Sequence, residues 1–201
     1  MIRRVFSSSA NHRKKKHAID KTIAVAPQHL FNVVIDVDAY QSFVPFCKQS
    51  DILRRSNCGT LFDASLTIGV SDMPPFNALE EKYVSRVKHI QRQDSDGNHE
   101  WIVEAKSIKS NLFHGLSSSW RLSKGESSSN STVGDSRDTK NDTGIEDIDD
   151  PFTRVIFEVE MIVTDPLIGA TLNQTLESVA LQQVEAFERR CKEIPFVLPI
   201  T

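Results

Sequence analysis

A chain of 201 residues, 39% hydrophobic and 25% charged, is long enough for one domain with a sizeable core. A net charge of −3 argues against nucleic acid as a partner, and no apolar run approaches the ~20 residues needed to cross a bilayer, so a soluble or peripheral protein is expected. Cys47, Cys58 and Cys191 are widely spaced and form no CxxC, which fits a reducing compartment better than a disulfide framework or a zinc site.

The leading segment, 1–17, carries six Lys/Arg and no acid. It has the composition of a mitochondrial transit segment, with a basic tail or a nuclear signal in "RKKK" as the other readings. A domain over 18–195 follows, with a first strand predicted at 18–25. Pro27 suits the first turn of a helix, and Leu30, Val33, Val34 and Val37 recur at helical spacing. The stretch "DAYQSFVPFCKQSDI" (38–52) is the most aromatic in the chain. It reads as a short helix capped by Asp38 and stopped by Pro45, with Arg54–Ser56 as a strand end.

Period-2 alternation then dominates. Phe62, Ala64, Leu66, Ile68 and Val70 alternate with Asp63, Ser65 and Thr67, predicting a strand with one wet face. Further strands are predicted around Tyr83 and Val87, around Trp101 and Val103, around Trp120 and Leu122, and from Val155 to Val163. Short connections make the sheet antiparallel. Between the last two strands, 125–151 is Ser/Asp/Gly-rich and strongly acidic, and reads as a disordered insertion. A long helix then opens at Asp165-Pro166 and ends at Pro195. Its stripe runs through Leu172, Leu176, Val179/Ala180, Phe187, Cys191 and Ile194, with one step missing near Gln183/Val184. The order β–α–α–six strands–long α is an α+β layer architecture. A long helix across a curved sheet leaves an apolar cavity where the two diverge.

No Gly-rich phosphate loop, HExxH or GxSxG is present. The six histidines are scattered; His114 alone lies in an apolar loop, where a structural or exposed role is commoner than acid-base work. Asp63, Glu81, Glu104, Glu158 and Glu160 read as solvated carboxylates, and no pair stands out as a dyad. Phe62, Leu66, Trp120 and Met161 suit either a cavity wall or an ordinary core. Phe76 and Phe113, in predicted loops, need burial under the domain, around a ligand mouth or in a membrane surface.

Several of these segments resemble, in order, the mitochondrial coenzyme Q-binding proteins of the START (polyketide cyclase/dehydrase-like) superfamily. The residues are Tyr40, Phe43-Val44-Pro45, Phe46 and Cys47; Ser85-Arg86-Val87; Phe113 and Trp120; "VIFEVEMIVTDPL"; and "VEAFERRCKEI". Asn111-Leu112 departs from the pattern, standing where Gly-Pro is common. The resemblance covers about 18–124 and 152–194. It implies a helix-grip fold, a curved antiparallel sheet wrapped around the long C-terminal helix. It also implies non-enzymatic binding of ubiquinone, a late precursor or a related polyisoprenoid lipid, with no catalytic cofactor. The protein would act as a lipid chaperone for respiratory electron transport and ubiquinone biosynthesis, peripheral at the matrix side of the inner membrane, in contact with respiratory or quinone-synthesis complexes. The expected wall is Phe43, Pro45, Phe46, Phe62, Leu66 and Phe76, then Phe113, Trp120, Met161, Leu172 and Leu176. Two other readings compete: a cyclase/aromatase-type enzyme using His114 or Tyr40, and a ribosome-interacting module, which a mildly acidic domain suits poorly.

Overall fold

The computed structural model describes residues 14–69, 80–93, 97–125, 152–163 and 166–195, with only the backbone at 166–174. Seven strands are present among the described residues: β1 (Lys14–Ile23), β2 (Cys47–Arg55), β3 (Leu61–Gly69), β4 (Glu80–Gln93), β5 (His99–Lys109), β6 (Phe113–Lys124) and β7 (Thr153–Val163). Helix α1 (Pro27–Ile35) and a 3-10 helix (Val37–Ser42) separate β1 from β2, and the long helix α2 (Pro166–Glu193) follows β7. The sheet order is β1-β7-β6-β5-β4-β3-β2, and every pairing is antiparallel. This is the expected α+β helix-grip architecture. Residues 126–151 of the acidic insertion, Phe76 and Asp165 lie outside the described residues.

Helix α1 begins where Pro27 fixes φ, and Ala26 before it is extended (φ −64°, ψ 137°), as a residue preceding proline prefers. The 3-10 helix begins one residue before Asp38, so Asp38 is not its cap. Its carboxylate instead accepts the Ile52 amide at 2.6 Å, and the Ser50 hydroxyl accepts the Gln41 amide at 3.0 Å, docking the helix on β2. In the β2–β3 turn, Gly59 adopts φ 73°, a conformation that costs glycine nothing.

Two strands depart from the predicted boundaries. β1 starts at Lys14 rather than at 18, so the predicted division at 17/18 falls inside it. Lys14 and Lys16 pair with Glu160 and Glu158 of β7, both at 2.8 Å. Phe113 opens β6 rather than sitting in a loop. The predicted wet face of β3 is in fact covered, with Asp63, Ser65 and Thr67 at 7%, 4% and 7% exposure. Longer side chains flank these positions: Arg54 and Arg86 beside Asp63, Asp51 and Val84 beside Ser65, Gln49 and Lys82 beside Thr67.

The apolar interior falls into two clusters. The larger joins α1, α2 and the middle of the sheet through Leu30, Val34, Phe62, Trp120, Phe157 and Phe187. The smaller gathers Phe113, Met161 and Val163 with Ile68, Leu116 and Leu176. Polar ties fix both helices. The Trp101 indole donates to Gln28 of α1 at 3.0 Å, His29 Nε2 lies 2.8 Å from the Cys191 carbonyl of α2, and Lys21 of β1 pairs with Glu188 of α2 at 2.9 Å.

Candidate functional site: a cavity between the sheet and the long helix

The space between the two clusters is a cavity in two adjoining compartments. The outer one, about 190 Å³, is walled by the smaller cluster and by Val44, Pro45 and Phe46. The inner one, about 130 Å³, reaches Val34 and Val37 on one side and Val103 and Trp120 on the other. Tyr40, Leu66, Tyr83, Leu116, Val159 and Gln183 border both. A larger groove, about 580 Å³, crosses the outer face of the sheet. Charges of both signs, including Arg86, Lys106, Glu104 and Glu158, stand around it, and it lies on the side of the sheet away from the long helix.

The aromatic stretch divides its labour. Tyr40 and Phe43 turn inward against Phe187 of α2, at ring separations of 5.2 and 5.1 Å and nearly perpendicular planes. The Tyr40 hydroxyl donates to the Val34 carbonyl. Phe43 therefore pins the 3-10 helix to the core and is absent from the described cavity wall. The chain then reverses into β2 through Phe46, whose φ of 64° lies in the left-handed region. The Phe46 carbonyl accepts the Gly69 amide at 2.9 Å, and Val44, Pro45 and Phe46 face the outer compartment.

Of the residues predicted to form the wall, Pro45, Phe46, Leu66, Phe113, Met161 and Leu176 line the outer compartment. Trp120 lines the inner one while stacking on Phe157 and Phe187. Phe62 is 1% exposed, packed in the core near His89, and borders neither compartment. Phe76 and the Leu172 side chain lie outside the described residues. Sequence reasoning left Tyr83, Ser85 and Gln183 out of the wall. The signals were present. Tyr83 and Ser85 precede Val87 at period 2, and Gln183 sits where the apolar stripe of α2 skips a step. Val184 completes that stripe at 1% exposure, and Gln183 turns to the cavity.

Burial raises the phenols of Tyr40 and Tyr83 and, more weakly, the Cys47 thiol, so all three stay protonated near neutrality. His114 is exposed on β6 and does not line the described cavity. Two carboxylates expected in solvent are engaged instead. Asp63 is held low by hydrogen bonds from Arg86 at 2.9 Å and Arg54 at 2.6 Å. Glu81 is 7% exposed, and one of its oxygens accepts the Ser110 hydroxyl at 2.7 Å and the Asn111 and Leu112 amides at 2.7 and 3.1 Å. Burial alone would raise Glu81, but these bonds outweigh it and the carboxyl titrates below its ordinary range. Both groups are therefore occupied in structural contacts.

The sheet, the gripping helix and an apolar cavity between them define the START-like helix-grip class. A family model described as polyketide cyclase / dehydrase and lipid transport matches residues 23–188, and the chain belongs to that family. It is similar to mitochondrial coenzyme Q-binding proteins COQ10 from Dictyostelium discoideum (27% identity over 53% of this chain and 45% of that one) and Drosophila melanogaster (31% over 61% and 48%). The matched stretch thus spans about half the length of these relatives. It is also 25% identical to the ribosome association toxin RatA of Rickettsia prowazekii, over 87% of this chain and 94% of that one. A START superfamily protein from Mycobacterium smegmatis superposes with a TM-score of 0.61 over 90% of this chain and 99% of its own, at 12% identity. The Zhui aromatase/cyclase from Streptomyces does so at 0.56 over 90% and 95%, at 11% identity, a likeness of fold alone.

Proposed function

We propose that the protein binds coenzyme Q, or a closely related prenylated quinone, in the cavity between sheet and helix, and carries it without chemical change. The observation that carries this is the apolar outer compartment, where Pro45, Phe46, Phe113, Met161 and Leu176 converge. Each buried methylene of an isoprenoid chain would contribute ~0.8 kcal/mol. Similarity to proteins named for coenzyme Q binding favours a quinone over other lipids. The same similarity supports a mitochondrial setting, and we assign the protein to the matrix face of the inner membrane as a lipid chaperone for respiration and quinone synthesis.

Solvent extraction of lipid from purified protein tests the reading. Quinone should co-purify with the native protein and be absent from Leu66→Asp, which places a charge on the wall shared by both compartments. Native protein free of quinone, with respiration intact in Leu66→Asp, contradicts it. The similarity to a ribosome association toxin raises a second reading, which salt-resistant co-sedimentation with ribosomes would support.

A further inference from the structure

We propose that Tyr83, Ser85 and Gln183 form the polar pole of the cavity and take the ring oxygens of a prenylated quinone, whose tail leaves past Pro45, Phe46 and Phe113. This rests on the quinone-binding reading above.

The cavity wall is polarised. The outer compartment is mainly aliphatic and aromatic, whereas Ser85 enters at the inner one, and Tyr83 and Gln183 stand at the junction. Tyr83 and Ser85 are two apart on β4 and project from one face of the sheet, while Gln183 approaches from α2. Ser85 is 5% exposed, and neither its hydroxyl, the Tyr83 hydroxyl nor the Gln183 amide has a hydrogen-bond partner among the described residues. A buried polar group such as the Ser85 hydroxyl is ordinarily satisfied, and leaving it unpaired is costly; Tyr83 and Gln183 are half-buried beside it at the cavity wall. Tyr40 shows the contrast: it borders the same space, but its hydroxyl is spent on the Val34 carbonyl.

The chemistry of the three groups suits a quinone ring. Carbonyl and ether oxygens only accept hydrogen bonds. A serine hydroxyl, a tyrosine hydroxyl and the amide nitrogen of glutamine can all donate. Burial raises the Tyr83 phenol, so it remains a donor throughout the physiological range. Leucine at 183 would suit an apolar wall better than glutamine. A polar side chain kept there is explained by what it meets when the cavity is filled.

The test measures equilibrium binding of two probes: a dimethoxy-methyl-benzoquinone bearing a geranyl chain, and geranylbenzene, which keeps the chain and lacks the oxygens. Tyr83→Phe and Gln183→Leu should each weaken the quinone by roughly 5–30-fold, the equivalent of one lost hydrogen bond. Geranylbenzene affinity should stay within about twofold, which also shows that the variants fold. Gln183→Leu should melt at or above the native temperature, because an unpaired amide is replaced by an apolar group. Unchanged quinone affinity in both variants overturns the proposal, as does equal weakening of both probes. If the native protein binds both probes equally, the polar pole is refuted and the lipid site stands. If it binds neither, the quinone reading itself fails.

Discussion

At Phe46 the backbone enters the left-handed region at φ 64°, a conformation that costs a bulky L-residue about 1–2 kcal/mol. The turn into β2 fixes that geometry, and the ring faces the outer compartment. Asparagine tolerates this backbone and lacks the ring. Phe46→Asn should therefore keep its melting temperature within a few degrees of native while losing lipid affinity; a large drop in melting temperature would show the ring to be structural. Phe43 predicts the opposite pattern. Truncating it to alanine removes the contact with Phe187 and should cost about 3 kcal/mol in denaturant unfolding. The three cysteines separate by environment. Hydrogen bonds from Ser56 and then Thr60 lower exposed Cys58 to about 7, whereas burial raises Cys47, and raises Cys191 to about 12. Iodoacetamide at neutral pH should label Cys58 first, read by peptide mass mapping. Faster labelling of Cys191 would contradict the packing of α2.

At the scale of elements, the β5–β6 connection depends on pH. Glu81 holds Ser110, Asn111 and Leu112 at the start of β6, beside the Phe113 wall of the cavity. Its carboxyl titrates below the ordinary glutamate range in the folded chain, because the hydrogen bonds from Ser110, Leu112 and Asn111 outweigh burial. The stabilisation it supplies is complete above its ordinary range and is lost as pH falls through the lower folded value. Glu81→Gln should destabilise the protein by about 1–3 kcal/mol at neutral pH, because a charged acceptor is lost from two backbone amides. The gap between native and variant should close on acidification; a gap independent of pH would remove the charge from the explanation. The same connection holds Asn111-Leu112, where the resemblance led to the expectation of Gly-Pro. Leu112 packs on the Phe113–Met161 cluster.

For the whole molecule, element order was readable because period-2 and period-3.6 patterns are unambiguous over long segments such as Val155–Val163 and the stripe of α2. The start of β1 was not, because Lys14 and Lys16 look like a targeting tail until Glu160 and Glu158 are seen opposite them. Which apolar residues face the cavity was only half readable. Phe62 and Leu66 lie four apart on the same face of β3 and obey the same alternation. Yet Phe62 is sealed in the core and Leu66 borders both compartments. Alternation tells a side chain which face of the sheet it occupies; how far the long helix stands off at that point depends on tertiary packing. The polar wall was hidden for the opposite reason, since a glutamine in an apolar stripe reads as a defect until the cavity gives it a place.

Whether quinone occupies this cavity can be measured on the intact protein. Native mass spectrometry of the purified protein measures it most directly, by the mass of what is released from the intact complex. A prenylated quinone should be released at up to one per chain from the native protein and be missing from Leu66→Asp. Protein that carries no lipid, or that exchanges quinone equally well with Leu66→Asp, would contradict quinone binding in this cavity.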